Sequence, residues 1–296
     1  MYDVIIVGGG PAGITAGIYC QRANLKTIIF EKDAIGGQIA SSPLVENFPG
    51  CKSISGAQLA TNFYEQAEEL GVQIEIEEVL EIIPGKINIV RTDFGEYESK
   101  VVILATGSKY RLLGLPNEEK YIGKGIAFCT SCDGAFFKGK DIAVIGGGNT
   151  AVTNAIYMAN LCNKVYLIDI SDSLICEKTL EEKLRKLDNV EILQKVGVKE
   201  LIGDNELSQI KLTDDRVLNI DGMFISIGMV AQTDVAKDIV KLNKQNYFDS
   251  SDCLTDKPNI FVAGDCRSKN IRQLTTAVAD GTTAAINAIK YIENNK

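Results

Sequence analysis

The stretch YDVIIVGGGPAG, residues 2–13, decides the fold of this chain of 296 residues. It begins as a short β-rich run and ends in a glycine-rich loop, and residues 14–23 follow with the apolar period of a helix. A second apolar strand is predicted over residues 26–30 and is closed by Glu31. Strand, glycine loop, helix and strand in this order predict a βαβ unit of the kind that binds dinucleotides.

The same pattern occurs a second time, about 138 residues further along the chain. A predicted strand over residues 140–145 runs into the loop GGGNTA, residues 146–151. A helix pattern continues to residue 159, and a strand over residues 164–168 ends at Asp169. Two dinucleotide-binding cores in one chain are therefore predicted.

The segments on either side of the second core indicate how the two cores are connected. One strand is predicted over residues 98–104, and another over residues 259–263 runs into Gly264. The last helix pattern extends from about residue 273 to residue 293 and is interrupted by Gly281. The second core is therefore predicted to be an insertion, after which the chain returns to complete the first domain.

The composition excludes several classes of function. The chain has 31 Lys and Arg residues against 39 Asp and Glu residues, and this net charge of -8 argues against binding to a nucleic-acid backbone. It contains no His, which excludes a His-dependent catalytic triad and a His-ligated zinc site. Neither an apolar run of about 18 residues nor a basic leader is present, so we predict no membrane span, no signal peptide and a cytoplasmic location.

The two glycine loops predict where nucleotides bind. Small residues permit a tight turn and let the backbone approach a pyrophosphate at the start of a helix. A carboxylate that accepts hydrogen bonds from an adenosine ribose stands 18 residues after each loop, at Glu31 and at Asp169. The loop residues predicted for the two sites are Gly8, Gly10, Pro11, Ala12 and Gly13, and Gly146, Gly148, Asn149, Thr150 and Ala151.

Asp169 also predicts which nucleotide the second site takes. A carboxylate at this strand tip suits a free 2′-hydroxyl and repels a 2′-phosphate, which needs a nearby Arg. Residues 170–176 contain no Arg and no Lys, so the local chemistry favours NADH over NADPH. The alternative is that Asp169 only solvates the end of a strand and that the site binds no nucleotide.

Cys129 and Cys132 form the pattern C-x-x-C, and Asp133 follows directly. Two thiols at this spacing can close a small redox-active ring. A metal site is the competing interpretation, but the chain has no His and no other C-x-x-C, so no metal site is predicted. Asp133 is a candidate for moving the proton in thiol–disulfide exchange, and its alternative role is that of a capping or turn carboxylate.

Taken together, these motifs resemble the low-molecular-weight thioredoxin reductases, which are FAD-dependent homodimeric enzymes of bacteria and archaea. The resemblance covers essentially the whole chain. It is carried by the first glycine loop, GGQ at 36–38, VENFPG at 45–50, ATG at 105–107, CTSCDG at 129–134, GGGNTA at 146–151, AGD at 263–265 and Arg272-Gln273.

The resemblance implies an α/β fold with two three-layer, Rossmann-like dinucleotide-binding domains. The FAD domain would comprise residues 1–113 and 242–296, and the NAD(P) domain with the C-x-x-C would be inserted as residues 114–241. In this family the inserted domain rotates, so that it presents either the nicotinamide or the disulfide to the flavin. The implied partner is thioredoxin or a thioredoxin-like protein.

The resemblance also implies roles for individual residues. Glu31 would hold the ADP half of FAD together with the first glycine loop, Asp265 would bond the ribityl chain, and Gln273 would face the flavin. Cys132 would lie nearer the flavin and Cys129 would attack the protein substrate, with Asp133 as the acid-base group. The other positions implied to bind cofactor are Gly37, Gln38, Asn47, Ala105, Thr106, Gly107, Gly264 and Arg272.

The chain departs from the family pattern in two places. Members that use NADPH carry His-Arg-Arg and a further Arg at the second strand tip, where this chain has Asp169, Ile170, Ser171 and Ile175. Residues 227–233, IGMVAQT, lack the usual Pro-Asn after the Gly. The electron donor is therefore open between NADH, which is favoured, NADPH, and reduced ferredoxin as in some clostridial relatives.

Two further functions fit the same motifs. A dithiol oxidase of this fold would keep FAD and the C-x-x-C and would pass electrons from a small dithiol to oxygen. A flavin-binding regulatory module would need the paired Cys residues to be incidental.

Overall fold

The computed structural model describes residues 1–42 and 44–295. The chain forms two compact units, Met1–Lys109 with Val230–Lys296, and Tyr110–Met229. These boundaries differ from the prediction at both ends of the inserted domain. Residues 110–113 belong to the second unit, and residues 230–241 belong to the first, where Ala236 and Val240 are buried in its core. The assignment of one unit to FAD and the other to NAD(P) stays a prediction.

The strands and helices are numbered in chain order. The strands are β1 (Tyr2–Val7), β2 (Thr27–Glu31), β3 (Gln73–Ile76), β4 (Val79–Ile83), β5 (Asn88–Thr92), β6 (Glu96–Leu104), β7 (Ser108–Tyr110), β8 (Ile126–Ala127), β9 (Asp141–Ile145), β10 (Lys164–Asp169), β11 (Val190–Gln194), β12 (Val198–Ile202), β13 (Gln209–Leu212), β14 (Val217–Asn219), β15 (Gly222–Ile225), β16 (Met229–Ala231) and β17 (Ile260–Val262). The α-helices are α1 (Pro11–Arg22), α2 (Gly56–Glu69), α3 (Thr130–Asp133), α4 (Asn149–Ala159), α5 (Lys178–Leu184) and α6 (Leu274–Asn294). Short 3₁₀ helices cover Gly37–Ser41, Glu118–Tyr121, Gly134–Phe137, Asp234–Ala236 and Gly264–Cys266.

The first unit is built on a mixed sheet of order β3-β2-β1-β6-β5-β4, and β17 also pairs with β6. Strands β3, β2, β1, β6 and β17 are parallel, whereas β4 and β5 are antiparallel additions to β6. Val7 pairs with Phe30 on one side and with Leu104 on the other. The loops that follow β1, β2, β6 and β17 therefore meet at one edge of the sheet, where ligands bind in open α/β folds.

The core of the first unit lies on both faces of this sheet. Val4 and Ile6 of β1 pack with α1 and α6, whereas Ile5 and Val7 face a second cluster that contains Phe248. This alternation follows from the period of two in a strand, and burial on both faces explains the continuous apolar run of β1. The predicted α/β class is confirmed for this unit.

The second unit repeats the parallel arrangement with a sheet of order β11-β10-β9-β15-β8. Strands β12, β13 and β14 form a separate antiparallel sheet that the sequence patterns did not predict. Ile142 and Val144 of β9 pack with Val152 and Met158 of α4 in a fully buried cluster. The second predicted dinucleotide-binding core is therefore a parallel βαβ unit like the first.

Two predicted helix boundaries differ from the structure. Helix α1 begins at Pro11, three residues before the predicted start, because proline is well placed at the first helical position. Helix α6 continues through Gly281, where the sequence indicated an interruption. None of the helices in the described part of the chain has the length and hydropathy of a membrane span.

Helix packing explains the glycine at position 281, because α6 lies directly on α1 at this point. A Cβ atom built on Gly281 would overlap the carbonyl oxygen of Ala12 and would lie 3.0 Å from the Thr15 Cβ. The obstacle is backbone, which cannot rotate away as a side chain does. The glycine is therefore retained for contact between the two helices.

We expect Gly281→Ala to lower the free energy of unfolding by about 1–3 kcal/mol, as measured by denaturant titration. Helix propensity alone would act in the opposite direction, by about 1 kcal/mol. The sign of the change therefore decides between propensity and packing. Ile286→Ala, at a partly exposed position of the same helix, is the matched control, and a stabilised Gly281→Ala chain would contradict the close contact.

Candidate functional site

The first glycine loop is closed against the backbone on one side. Gly8 has a φ of +113°, and its N–H donates to the carbonyl oxygen of Phe30 at 2.8 Å. A Cβ atom on Gly8 would overlap the carbonyl oxygen of Ala105, and one on Gly13 would overlap that of Gly8. Both positions therefore need glycine, because the end of β6 and the start of α1 approach the loop too closely for any side chain.

The same loop is open on its other side. A Cβ atom built on Gly10, the N-cap of α1, meets no atom within 4 Å. The carboxylate of Glu31 lies on the loop, where its Oε2 accepts a hydrogen bond from the Gly9 N–H at 2.7 Å and its Oε1 accepts one from the Asp33 N–H at 2.9 Å. Open space at a helix N-terminus beside a fixed carboxylate fits the pyrophosphate and ribose of a dinucleotide.

Other residues predicted for this site lie at the same sheet edge. Cβ atoms built on Gly37 and Gly264 would lie 3.4 Å from the Gly10 Cα and 3.0 Å from the Ala12 Cβ, respectively. The side-chain amide of Gln38 donates to the Ser108 carbonyl oxygen at 2.7 Å. These contacts bring the segments around Gly37 and Gly264 onto the glycine loop and join Gln38 to the segment that follows β6.

Three more predicted positions directly follow β6 and are held by hydrogen bonds to the backbone of Val7 and Gln232. The Ala105 N–H donates to the Val7 carbonyl oxygen at 2.8 Å, and the Thr106 hydroxyl donates to the Gln232 carbonyl oxygen. Gly107 has a φ of +71° and accepts a hydrogen bond from the Gln232 N–H at 3.0 Å. Asn47 lies exposed on its own loop, and no described contact joins it to the glycine loop, so its cofactor role stays a prediction.

Arg272 and Gln273 serve the local backbone in this structure. The Arg272 guanidinium donates to the carbonyl oxygens of Asp265, Lys269 and Arg267, and it lies 4.0 Å from the centre of the Tyr247 ring. Gln273 is the N-cap of α6 and takes part in a capping box with Thr276. These contacts fix the loop between β17 and α6, and the predicted contacts of both residues with cofactor stay predictions.

A cluster of four charged side chains beneath this loop was missed from the sequence. Arg267 and Lys269 both contact the buried carboxylate of Asp280, and Lys269 Nζ also lies 3.0 Å from Asp265 Oδ1. The Gly264 N–H donates to Asp280 Oδ2 at 3.1 Å. Residues 265–269 carry one acidic and two basic side chains at every second position, but their partner Asp280 on α6 is revealed only by the fold.

The second glycine loop is built like the first, with one change. Gly146 has a φ of +126°, and a Cβ atom there would lie 2.8 Å from the Ser226 carbonyl oxygen, whereas one on Gly148 would meet nothing within 4 Å. Ala151 is fully buried at the position that corresponds to Gly13. Its methyl group lies 3.2 Å from the position of a Cβ on Gly146, so this loop is slightly wider and tolerates alanine.

The strand tip beside the second loop carries both acidic and apolar side chains. Asp169 is buried against Gly147, where a Cβ atom would overlap its carboxylate. Ile170 and Ile175 are 79% and 76% exposed, although the Ile175 N–H donates to the Gly147 carbonyl oxygen at 2.8 Å. The arrangement offers a carboxylate for a ribose and two apolar side chains in place of phosphate-binding cations.

The other polar residues of this loop hold the segment that follows. The Asn149 side-chain oxygen accepts a hydrogen bond from the Glu177 N–H at 2.8 Å, next to the start of α5. Thr150 lies on the exposed face of α4. The predicted nucleotide contacts of both residues stay predictions.

The two sulfur atoms of Cys129 and Cys132 are joined in a disulfide, with Cα atoms 5.3 Å apart. The pair spans the start of α3, where the N–H groups of Cys132 and Asp133 both donate to the Cys129 carbonyl oxygen. Both Cys residues are partly exposed. Within the described ranges, no group of three or more Cys, Asp or Glu side chains has a geometry that holds a metal ion.

A short hydrogen-bond chain supports the disulfide and was not predicted. The Thr130 hydroxyl donates to the Asn154 side-chain oxygen at 2.7 Å, and the Asn154 amide donates to the Ser226 hydroxyl at 2.9 Å. Asn154 lies on α4, and Ser226 directly follows β15. The chain therefore joins the redox pair to the same helix that begins at the second glycine loop.

Asp133 is the last residue of α3 and makes no side-chain capping hydrogen bond where the next 3₁₀ helix begins. The capping alternative is therefore not the role seen here. Burial raises the pKa of its carboxyl group to about 6. A carboxyl group with this pKa next to a dithiol can hold and release a proton near neutral pH.

Comparison with known proteins shows similarity over both units. The family model described as pyridine nucleotide-disulphide oxidoreductase matches residues 2–281. A 34.2 kDa protein in the rubredoxin operon of Clostridium pasteurianum is 42% identical over 298 residues, which are 98% of this chain and 97% of that protein. Thioredoxin reductase of Bacillus subtilis is 36% identical over 301 residues, with coverage of 99% and 95%. The crystal structure of thioredoxin reductase from Streptococcus pyogenes has a TM-score of 0.94 and 38% identity over 99% of each chain.

The raised pKa of Asp133 predicts a pH-dependent stability. Because the folded chain binds this proton more tightly than the unfolded chain, ionisation destabilises the fold as the pH rises from about 4 to about 6, by up to about 3 kcal/mol. We expect Asp133→Asn to unfold at a higher temperature than the unchanged chain at pH 8 and at nearly the same temperature at pH 4. Calorimetric melts at both pH values check this.

The control for this experiment is Asp172→Asn, which alters an exposed carboxylate of the same unit. We expect its melting temperature to follow that of the unchanged chain at both pH values. An equal gain for Asp133→Asn at pH 4 and pH 8 would show that ionisation of Asp133 is not the cause.

Proposed function

Because the chain belongs to the pyridine nucleotide-disulphide oxidoreductase family, and within it to the low-molecular-weight thioredoxin reductases, we propose that it carries electrons from NADH to a protein disulfide. The electrons pass through FAD and the Cys129–Cys132 pair, and the acceptor is thioredoxin or a thioredoxin-like protein. The proposal includes the homodimer that the family resemblance implies. The observation that carries it is a disulfide with a half-buried carboxylate beside it, in the unit that also holds the second glycine loop.

The first glycine loop fits FAD, the cofactor of the family. The open face at Gly10 admits a pyrophosphate, and the two backbone N–H groups that hold Glu31 orient its carboxylate for a ribose. Asp265 Oδ1 is buried, and within residues 1–42 and 44–295 its described partner is the charge of Lys269, without the alignment of a hydrogen bond. This oxygen accepts no hydrogen bond in the described residues, so it can accept one from a hydroxyl group of a ribityl chain. When bound, FAD supplies the two-electron carrier between a nicotinamide and a dithiol.

The reaction at the thiols balances without imidazole. Reduction of the Cys129–Cys132 disulfide takes up two electrons and, in total, two protons. The Cys129 thiolate then attacks one sulfur of the substrate disulfide, which breaks the substrate S–S bond and forms a mixed disulfide. Cys132 attacks the Cys129 sulfur, restores the ring and releases the substrate as a dithiol. Asp133, with its pKa of about 6, donates a proton to the departing thiolate.

NADH is favoured as donor because of the strand tip of the second unit. Asp169 suits a ribose with a free 2′-hydroxyl, and Ile170 and Ile175 provide no charge for a 2′-phosphate. Binding a phosphate against apolar side chains would remove its hydration without replacing it. Reduced ferredoxin is the alternative donor, because the strand tip lacks the Arg residues of the members that use NADPH.

We expect NADH to bleach the flavin absorbance faster than NADPH in anaerobic stopped-flow experiments. In the double variant Ser171→Arg/Ile175→Arg, two guanidinium groups at the strand tip should accelerate bleaching by NADPH by about tenfold, because they pair with the 2′-phosphate. The rate with NADH serves as the internal control and should change little.

Other results of the donor experiment have definite meanings. Equal or faster bleaching by NADPH in the unchanged chain would overturn the NADH proposal. Bleaching by dithionite-reduced ferredoxin but by neither nucleotide would make ferredoxin the donor. Turnover of a small dithiol with oxygen in place of a protein disulfide would identify a dithiol oxidase.

The roles of the two Cys residues give a second experiment. We expect Cys132→Ser to bind FAD and to accept electrons from the donor, but to lose reduction of a thioredoxin disulfide, because a single thiol cannot resolve the mixed disulfide. The measurement is thioredoxin-dependent turnover beside the flavin spectrum. Cys162→Ser is the control, since that buried thiol donates to the Phe137 carbonyl oxygen as a serine hydroxyl also can. Retained turnover in Cys132→Ser would refute the proposed relay.

A further inference from the structure

Four charged side chains are buried together between the loop after β17 and helix α6. The exposed fractions of the Lys269, Asp280, Arg267 and Asp265 side chains are 8%, 10%, 15% and 20%. Two cations and two carboxylates make the cluster neutral as a whole. Charges this far from water are stable only where each is matched by an opposite charge and by hydrogen bonds.

Within the cluster, Asp280 is satisfied by many partners. Arg267 binds its carboxylate with two nitrogens, at 3.0 and 2.9 Å, and the Gly264 N–H donates to it at 3.1 Å. Lys269 Nζ donates to Asp280 Oδ2 at 3.0 Å and contacts the Thr276 hydroxyl at 3.4 Å. Asp280 would therefore remain paired with Arg267 if Lys269 were removed.

Asp265 is in a different position. Lys269 Nζ, 3.0 Å from Oδ1, is the cation that the structure places against its carboxylate. Arg267 is directed to Asp280, and the Arg272 guanidinium donates to the carbonyl oxygen of Asp265 and not to its side chain. The Asp265 carboxylate thus has Lys269 as its cationic partner, whereas Asp280 is also paired with Arg267.

We propose that Lys269 is a positioning residue for the flavin, which holds the Asp265 carboxylate turned toward the ribityl chain. This inference rests on the proposed function, because it takes FAD as the ligand of Asp265. Without Lys269 the cluster would hold one excess negative charge in a buried place. The Asp265 carboxylate, without its cationic partner, would then turn away from the ribityl chain and would be a weaker acceptor for its hydroxyl group.

The competing role for Lys269 is purely structural, a tie between the loop after β17 and α6. A structural tie would lower the melting temperature of the chain without FAD, and it would affect FAD binding only through unfolding. A positioning role also changes the electrostatics at the flavin. One excess negative charge near the cofactor disfavours its reduced, more negative form, so the flavin midpoint potential should become more negative.

The experiment compares Lys269→Met, Lys269→Arg and Lys269→Met/Asp280→Asn with the unchanged chain. FAD affinity is measured by titration of the apoprotein, with the quenching of FAD fluorescence as signal, and the midpoint potential by redox titration of the holoprotein. We expect Lys269→Met to weaken FAD binding about tenfold and to shift the potential to a more negative value. Lys269→Arg should stay within about threefold in affinity, because it keeps the cation.

The double variant separates charge from packing. Removing Lys269 and the Asp280 charge together restores a neutral cluster of Asp265 and Arg267, so the potential should return toward that of the unchanged chain. A merely structural role predicts the reverse, a larger defect in the double variant. Lys290→Met, at an exposed position of α6, is the matched control and should change neither measurement.

The outcomes distinguish this inference from the proposed function. If the unchanged chain binds no FAD, both are overturned. If it binds FAD and Lys269→Met leaves affinity and potential unchanged, only the role of Lys269 is overturned. Lys269→Gln replaces Lys269→Met if the latter does not fold, and an arginine variant as weak as the glutamine variant would also overturn the inference.

Discussion

The first unit depends on a close approach of backbone to backbone at three glycines. Gly8 lies against the carbonyl oxygen of Ala105, Gly13 against that of Gly8, and Gly281 of α6 against that of Ala12. Helix α1 is thereby fixed between the central strands and the C-terminal helix, with its first turn at the sheet edge. Since the segments that follow β2, β6 and β17 reach the same edge, the positions of Glu31 and Asp265 depend on these contacts.

Much of this arrangement could be predicted from sequence because its signals are local. A β-rich run, a glycine loop and a helix period predicted both βαβ units. The segments that flank the second unit predicted that it is inserted in the first. The Cys129–Cys132 disulfide could likewise be predicted, since a spacing of two residues between thiols allows a disulfide ring to close. In each case the residues that determine the feature are neighbours in sequence.

The features that were missed depend on contacts between distant residues. Asn154 meets Thr130 across 24 residues and Ser226 across 72, and no local pattern marks these three as a chain. From the sequence alone Lys269 would be expected on the surface, and only the fold shows that Asp280 of α6 lies against it. The antiparallel sheet of β12, β13 and β14 was also missed, because its short, partly exposed strands give a weak alternation of apolar and polar residues.

In the proposed function, the buried carboxyl group of Asp133 takes the part of a His side chain, which this chain does not contain. A proton donor for thiol–disulfide exchange works best with a pKa near the working pH, and imidazole has this property without any help from its surroundings. An exposed carboxyl group does not, because its pKa of about 4 leaves it almost fully ionised at neutral pH. Partial burial raises the pKa of Asp133 to about 6, close to that of imidazole. This burial lowers the stability of the fold above pH 6, because the ionised carboxylate is solvated less well in the folded chain than in the unfolded chain.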